Sequence, residues 1–171
     1  QDSVCLAKRG AVVTGVDMSD EAISFATGLS RDIGVPAEFV QSEVVAWLHE
    51  TSLRFDVAFS SYGTTGWLPD LDAWARGVSR VLEPGGRLVY VEFHPLVWSW
   101  GSDLRPTGDD YFSREPFVEP VSDYVKESGV CLGAASGTAH AGGAGEVAQV
   151  SDNVIPAHSW QHTLADVLDA L

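Results

Sequence analysis

The residues able to do chemistry in this chain are a few carboxylates, serines and histidines that follow short apolar runs. Asp17 and Glu43 stand 26 residues apart, each close behind such a run. Two more runs end in Ser60-Ser61-Tyr62-Gly63 and in Glu92-Phe93-His94-Pro95. A carboxylate at the end of a buried strand offers two acceptor oxygens, which suits the paired hydroxyls of a ribose. Asp17 is placed for that task, or else it caps the helix behind it; Ser19 already fills the capping position, which favours ligand contact. His94 directly follows the last run, and histidine is the side chain suited to acid-base work near neutral pH, so it is either a general base or a ring bonded to local backbone before Pro95. His158 and His162 bracket Trp160 further on. None of the histidines has metal-ligand spacing with an acid or a cysteine, so no metal site is expected.

Those residues need elements to hold them, and the first hundred residues supply a regular alternation. Residues 3–9 read as the end of a helix stopped by Gly10. Residues 11–17 form a β-branched strand. Ser19 opens a helix with Asp20 and Glu21 in its first turn and an apolar stripe of Ala22, Ile23, Ala26, Leu29 and Ile33, ended by Gly34. A second strand spans 37–41, a short helix 44–50, and a third strand 55–60. Asp70 caps a helix whose inward face is Leu71, Trp74, Ala75, Val78 and Leu82. Pro84-Gly85-Gly86 makes a turn, and 87–93 is the fourth strand. Strands alternating with helices across short connections predict an α/β fold, a parallel sheet flanked by helices. Ligands of such sheets bind at the carboxyl ends of the strands, where the residues above stand.

After Phe93 the pattern changes. Residues 94–128 are rich in aromatics, including Trp98, Trp100, Tyr111 and Phe112. Residues 129–148 hold six glycines and six alanines, the composition of a long mobile loop. Gly142-Gly143-Ala144-Gly145 within it follows no strand and opens no helix, so it fails as a nucleotide loop. An amphipathic helix over 163–171 presents Leu164, Val167, Leu168 and Leu171 on one face.

Composition narrows the partners. With 171 residues, 45% hydrophobic and 20% charged, the chain is an ordinary globular one. Ten basic against 24 acidic residues give a net charge of −14. That balance argues against a nucleic-acid partner and against adhesion to an anionic membrane. No apolar run approaches the roughly 20 residues of a membrane span. Two cysteines, Cys5 and Cys131, form no scaffold, which points to a reducing, cytoplasmic setting. The oligomeric state is not readable from the sequence, and a homodimer stays open.

Gly10 to Ser19, Glu38 to Val44, Phe55 to Ser61 and Val81 to Glu92 resemble, in order and spacing, the successive motifs of class I S-adenosylmethionine-dependent methyltransferases. The resemblance implies a Rossmann-like sheet and S-adenosylmethionine as cofactor. It places the ribose on Asp17, the adenine against Met18, Glu43 and Val44, and the methionine part near Ser60. Tyr62 or Trp67 then offers a π-face to the sulfonium, or in the case of Tyr62 simply packs. The family's glycine-rich first motif is not in the sequence; by its spacing, Gln1 falls directly after the last glycine of that loop. The resemblance therefore implies a longer chain, with a strand before Gln1 lying between those that end at Asp17 and Ser60, and further strands after Leu171.

The organisation expected is a cofactor-binding core over 1–95, a substrate-cap insertion over 96–162, and a helix returning to the core over 163–171. Trp67, Trp98, Tyr111, Trp160 and His162 would line an apolar wall for a small-molecule acceptor; the aromatics of the insertion equally pin it to the sheet, and His162 is equally a helix cap. Methyl transfer is an in-line displacement that needs positioning and exclusion of water, with His94 as the candidate base. Two alternatives remain open: an NAD(P)-dependent oxidoreductase, disfavoured by the lack of a Tyr-x-x-x-Lys pair, and a cofactor-binding module without catalysis.

Overall fold

A computed structural model describes residues 1–101, 103–121 and 155–171. The glycine-rich stretch 129–148, with Cys131, lies outside the described residues. The chain divides into two compact units, one of residues 1–116 with 159–171 and one of residues 117–158. The second holds β5 (Phe117–Val121) and all but the last residue of β6 (Ile155–Ser159), which form one two-stranded sheet. Residues 96–116, which the sequence suggested as the start of a cap, belong to the first unit.

The first unit holds α1 (Asp2–Lys8), β1 (Thr14–Asp17), α2 (Asp20–Asp32), β2 (Glu38–Gln41), α3 (Val44–Glu50), β3 (Phe55–Ser60), α4 (Leu71–Val81), β4 (Leu82–Tyr90) and α5 (Leu164–Ala170). Two 3-10 turns, Thr65–Trp67 and Pro95–Ser99, follow β3 and β4. β1 pairs with β2 and β3 with β4, both parallel, as connections through helices require. Among the described residues these are separate two-stranded sheets.

Local chemistry sets the boundaries. Ser19 Oγ accepts from Ala22 N–H at 3.1 Å and Asp70 Oδ1 from Ala73 N–H at 2.8 Å, so both expected caps are made. Gly10 and Gly34 end α1 and α2 with φ of 99° and 66°. β1 begins at Thr14 rather than at residue 11, and Val12, 99% exposed, is left outside the sheet. β4 begins earlier than expected and contains the Pro84-Gly85-Gly86 turn. Leu82 pairs with Phe55, the turn bulges out, and pairing resumes at Arg87 opposite Val57. A Cβ on Gly86 would sit 2.8 Å from the Glu83 carbonyl oxygen and 3.1 Å from that of Asp56, so only glycine fits there.

The core is a cluster of Leu48, Leu68, Leu71, Trp74, Val78, Val81 and Val167. Leu71, Trp74, Val78 and Val81 recur at the i, i+3, i+7 and i+10 spacing of one helix face. Gly77 lets α3 approach α4 closely, since a Cβ there would lie 2.8 Å from Leu48 Cβ. Leu82 has left the helix but packs against this cluster, as does Ala75, and Val81 is the most deeply buried of the helix face. α5 buries Val167 as expected and differs in the rest of its face. Its buried row is Thr163 and Val167, with Ala170 packed behind them, whereas Leu164, Leu168 and Leu171 are 42%, 64% and 58% exposed. The docked face is thus one residue, about 100°, away from the leucine row.

Candidate active site

The end of the β1–β2 sheet carries the first group of candidates. Asp17 is paired in register with Gln41, which brings the ends of both strands to one edge. Asp17 is exposed, and its Oδ1 accepts from Ser19 N–H at 2.8 Å. Ser19, not Asp17, is the cap of α2, and among the described residues Asp17 Oδ2 accepts no hydrogen bond. Met18 is 73% exposed beside it.

Glu43 has a local task that its sequence context did not suggest. Its Oε1 accepts from Val45 N–H at 2.9 Å and its Oε2 from Ala46 N–H at 2.7 Å, so the carboxylate caps α3. Each oxygen retains a lone pair. Val44 is half-buried against the core cluster. Gln1 occupies the cap position of α1 without a side-chain cap bond.

The end of the β3–β4 sheet is more tightly built. Ser60 closes β3, 8% exposed, and among the described residues its Oγ has no hydrogen-bond partner. The loop behind it is tied down by Glu92, a residue given no role by its sequence alone. Glu92 Oε1 accepts from Gly63 N–H at 2.5 Å and from Phe93 N–H at 2.8 Å. Its Oε2 accepts from Thr65 N–H and from Thr65 Oγ1, each at 3.0 Å. Tyr90 Oη lies 3.1 Å from Thr65 Oγ1, and burial pushes the Tyr90 hydroxyl above the ordinary phenol range. The signal in the sequence was an acid just beyond a strand end, but its partners lie 27 and 29 residues away.

A recess of about 30 Å³ opens at this end, lined by Thr65, Glu92, Phe93, Trp98, Trp160 and His162 among others. Tyr62, Phe93 and Trp98 form a chain of rings with centroids 6.3 and 6.5 Å apart, tilted and then edge-on. Trp67 is half-exposed and does not line the recess. Trp160 N–H donates to the Gly66 carbonyl at 2.8 Å, which seats the segment before α5 against the 3-10 turn after β3. His162 follows, half-buried, its Nε2 2.7 Å from the Leu68 carbonyl oxygen.

His94 is found in the local arrangement weighed against the base role. Its Nδ1 accepts from Leu96 N–H at 3.2 Å, capping the 3-10 turn, and the exposed ring lies outside the recess. Tyr111, expected in the acceptor wall, does not line the recess. Its hydroxyl accepts from Leu164 N–H at 2.9 Å and its carbonyl from Gln161 Nε2 at 3.3 Å, so it straps the start of α5. Among the described residues no group of three His, Cys, Asp or Glu could hold a metal ion. Nor is any helix among them long and apolar enough to cross a membrane.

The start of α5 is held by a second device. Thr163 and Asp166 form a capping box, and Arg114 pairs with both Asp166 oxygens. The Arg114 guanidinium, and then the Thr163 donors, hold the Asp166 carboxyl well below the usual carboxylate range. A depressed folded-state pKa contributes stability above the unfolded value and loses it as pH falls. The stability difference between wild type and Asp166→Asn is therefore expected to be complete at pH 6 and to shrink below about pH 4. Urea denaturation of both proteins across that range checks this. A difference that is constant with pH contradicts the ion-pair account.

Parallel strands joined through helices, with candidate ligand groups at the carboxyl ends, define a Rossmann-like α/β chain. A solved S-adenosylmethionine-dependent methyltransferase from Clostridium acetobutylicum shares this fold, with a TM-score of 0.51 and 20% identity, covering 66% of this chain and 46% of that one. A family model described as a methyltransferase domain matches residues 1–86, and the chain belongs to that family. Among curated relatives, a ubiquinone biosynthesis O-methyltransferase of Proteus mirabilis is 30% identical over 98 residues, 57% of this chain and 40% of the relative. One of the same description from Pseudomonas entomophila is 31% identical over 88 residues, 52% and 38% of the two chains. The chain thus spans about two fifths of the length of these relatives.

Proposed function

We propose that this protein acts as an S-adenosylmethionine-dependent methyltransferase that modifies a hydroxyl of a small molecule. The observation that carries the reading is the Asp17 carboxylate. It ends β1 at the ligand-binding edge of the sheet, exposed, with Oδ2 uncommitted. A ribose brings two hydroxyl donors to that oxygen pair. Ser60 Oγ, buried without a partner among the described residues, is a polar group that a bound ligand or water would satisfy. These two residues fit the cofactor: Asp17 would hold the ribose and Ser60 would lie toward the methionine part. Met18 and Glu43 stand where adenine would pack and hydrogen-bond, while Gln1 and Val44 join the set by family likeness alone. Bound there, the cofactor supplies a methyl group on a sulfonium, already electrophilic without a metal.

The chain's own residues then have three tasks. Asp17 and the Glu92-tied loop orient the donor, the rings of Phe93, Trp98 and Trp160 exclude water, and Tyr62 presents a π-face to positive charge. The O-methyltransferase relatives favour oxygen as the atom modified. An exposed free thiol at Cys5 suits a reducing, cytoplasmic setting. Calorimetric titration of the full-length protein with S-adenosylhomocysteine and, separately, with NAD tests the reading. Saturable binding of the first alone is expected. Binding of NAD alone overturns the reading and restores the oxidoreductase alternative.

A further inference from the structure

We propose that His162, through Nδ1, is the base that takes the proton of the acceptor hydroxyl; this rests on the methyltransferase reading above. A carbonyl oxygen only accepts, so the 2.7 Å contact between His162 Nε2 and the Leu68 carbonyl requires a hydrogen on Nε2. In the neutral ring the basic lone pair is then on Nδ1. No hydrogen bond among the described residues reaches that atom. His162 lines the recess together with Phe93, Trp98 and Trp160. The chain on either side of it is held, by Trp160 N–H on the Gly66 carbonyl and by the Thr163 capping box. A recess of about 30 Å³ admits a hydroxyl-sized group, with the half-exposed rings of Phe93 and Trp98 left to support a planar acceptor.

The other groups near the acceptor are ruled out by their own bonds. Glu92, the carboxylate lining the recess, already receives four donors. His94 is the mirror case of His162. Its Nδ1 lone pair accepts from Leu96 N–H, so the neutral ring carries its hydrogen on Nε2 and has no second lone pair for an incoming proton. Taking a proton there means breaking the cap of the 3-10 turn.

The step balances as follows. The acceptor O–H proton passes to His162 Nδ1 as the oxygen bonds to the methyl carbon. The carbon–sulfur bond breaks with its electron pair on sulfur, leaving a neutral thioether. The positive charge ends on the imidazolium, which gives its proton to water.

Three measurements on the full-length protein test this, with catechol as the planar hydroxyl probe. Nitrogen-15 NMR of the wild-type ring should show the Nε2–H tautomer at His162; the Nδ1–H tautomer overturns the proposal. His162→Gln keeps a donor where Nε2 was and removes the base. It should lower kcat for catechol methylation about 100-fold or more while KM stays within about threefold. Near-normal kcat, or a comparable loss found in His94→Gln instead, overturns it. So does an absence of methyl transfer to catechol by wild-type protein that binds S-adenosylhomocysteine. Calorimetry separates the two claims: His162→Gln should bind S-adenosylhomocysteine as wild type does, whereas loss of that binding in the wild type itself sinks the methyltransferase reading.

Discussion

Glu92→Ala should lower the free energy of unfolding by about 2–4 kcal/mol and weaken S-adenosylhomocysteine binding with it. The carboxylate receives the N–H groups of Gly63, Thr65 and Phe93 and the hydroxyl of Thr65, so alanine leaves four donors without their acceptor. Bonds to a charged acceptor are worth about 1.5–3 kcal/mol each, but they act as a unit and their losses do not add. The site is only partly buried, so water replaces some of what is lost, which holds the sum near the stated range. Glu92→Gln should fall between wild type and alanine, because its amide N–H group would face donors instead of accepting from them. Urea denaturation reads the stability, and calorimetry on protein that is folded reads the binding. A change below about 0.5 kcal/mol, the size of an ordinary surface substitution, contradicts the clamp.

What the sequence made legible divides by the range of the interactions. Ser19 and Asp70 were readable as caps because the donor each one satisfies is three residues away. Their helices follow from apolar spacing over similar distances. Glu43 obeys the same local rule, yet its place behind a strand points to a ligand group, whereas both of its oxygens close the first turn of α3. On α5 the spacing finds Val167 but joins it to the leucine row, since a seven-residue helix carries two overlapping apolar rows and only packing chooses between them. Thr163 settles that choice, buried at 4% beside Val167.

The histidines show the limit most clearly. His94 and His162 are alike as residues, and position after a strand favoured the first. Their difference lies in which ring nitrogen is already committed. For His94 the partner is two residues away, and for His162 it is Leu68, 94 residues back. No periodicity or spacing encodes that second contact. It exists because the 3-10 turn after β3 and the segment before α5 meet through Trp160 and Gly66. The Glu92 clamp is of the same kind, a contact made when the ends of β3 and β4 come side by side.

Asp17→Ala should reduce affinity for S-adenosylhomocysteine about 10- to 100-fold, the value of losing charge-assisted hydrogen bonds to a ribose. The residue has two roles that must be kept apart. Oδ1 receives Ser19 N–H at 2.8 Å and so helps set the entry into α2, while Oδ2 is the oxygen left for a ligand. Loss of the first costs about 0.5–1 kcal/mol of stability, which is small because the group is exposed and water substitutes for it. Asp17→Asn divides the roles. Its carbonyl still accepts from Ser19 N–H, while its amide nitrogen presents a donor to the ribose in place of an acceptor. Asparagine should therefore restore wild-type stability and still bind weakly. If both variants fold and bind as wild type does, the carboxylate is only part of the turn between β1 and α2. If binding falls in step with stability across the two, the turn and not the free oxygen is what matters. A fall in binding at unchanged stability in Asp17→Asn is the outcome that the uncommitted Oδ2 requires.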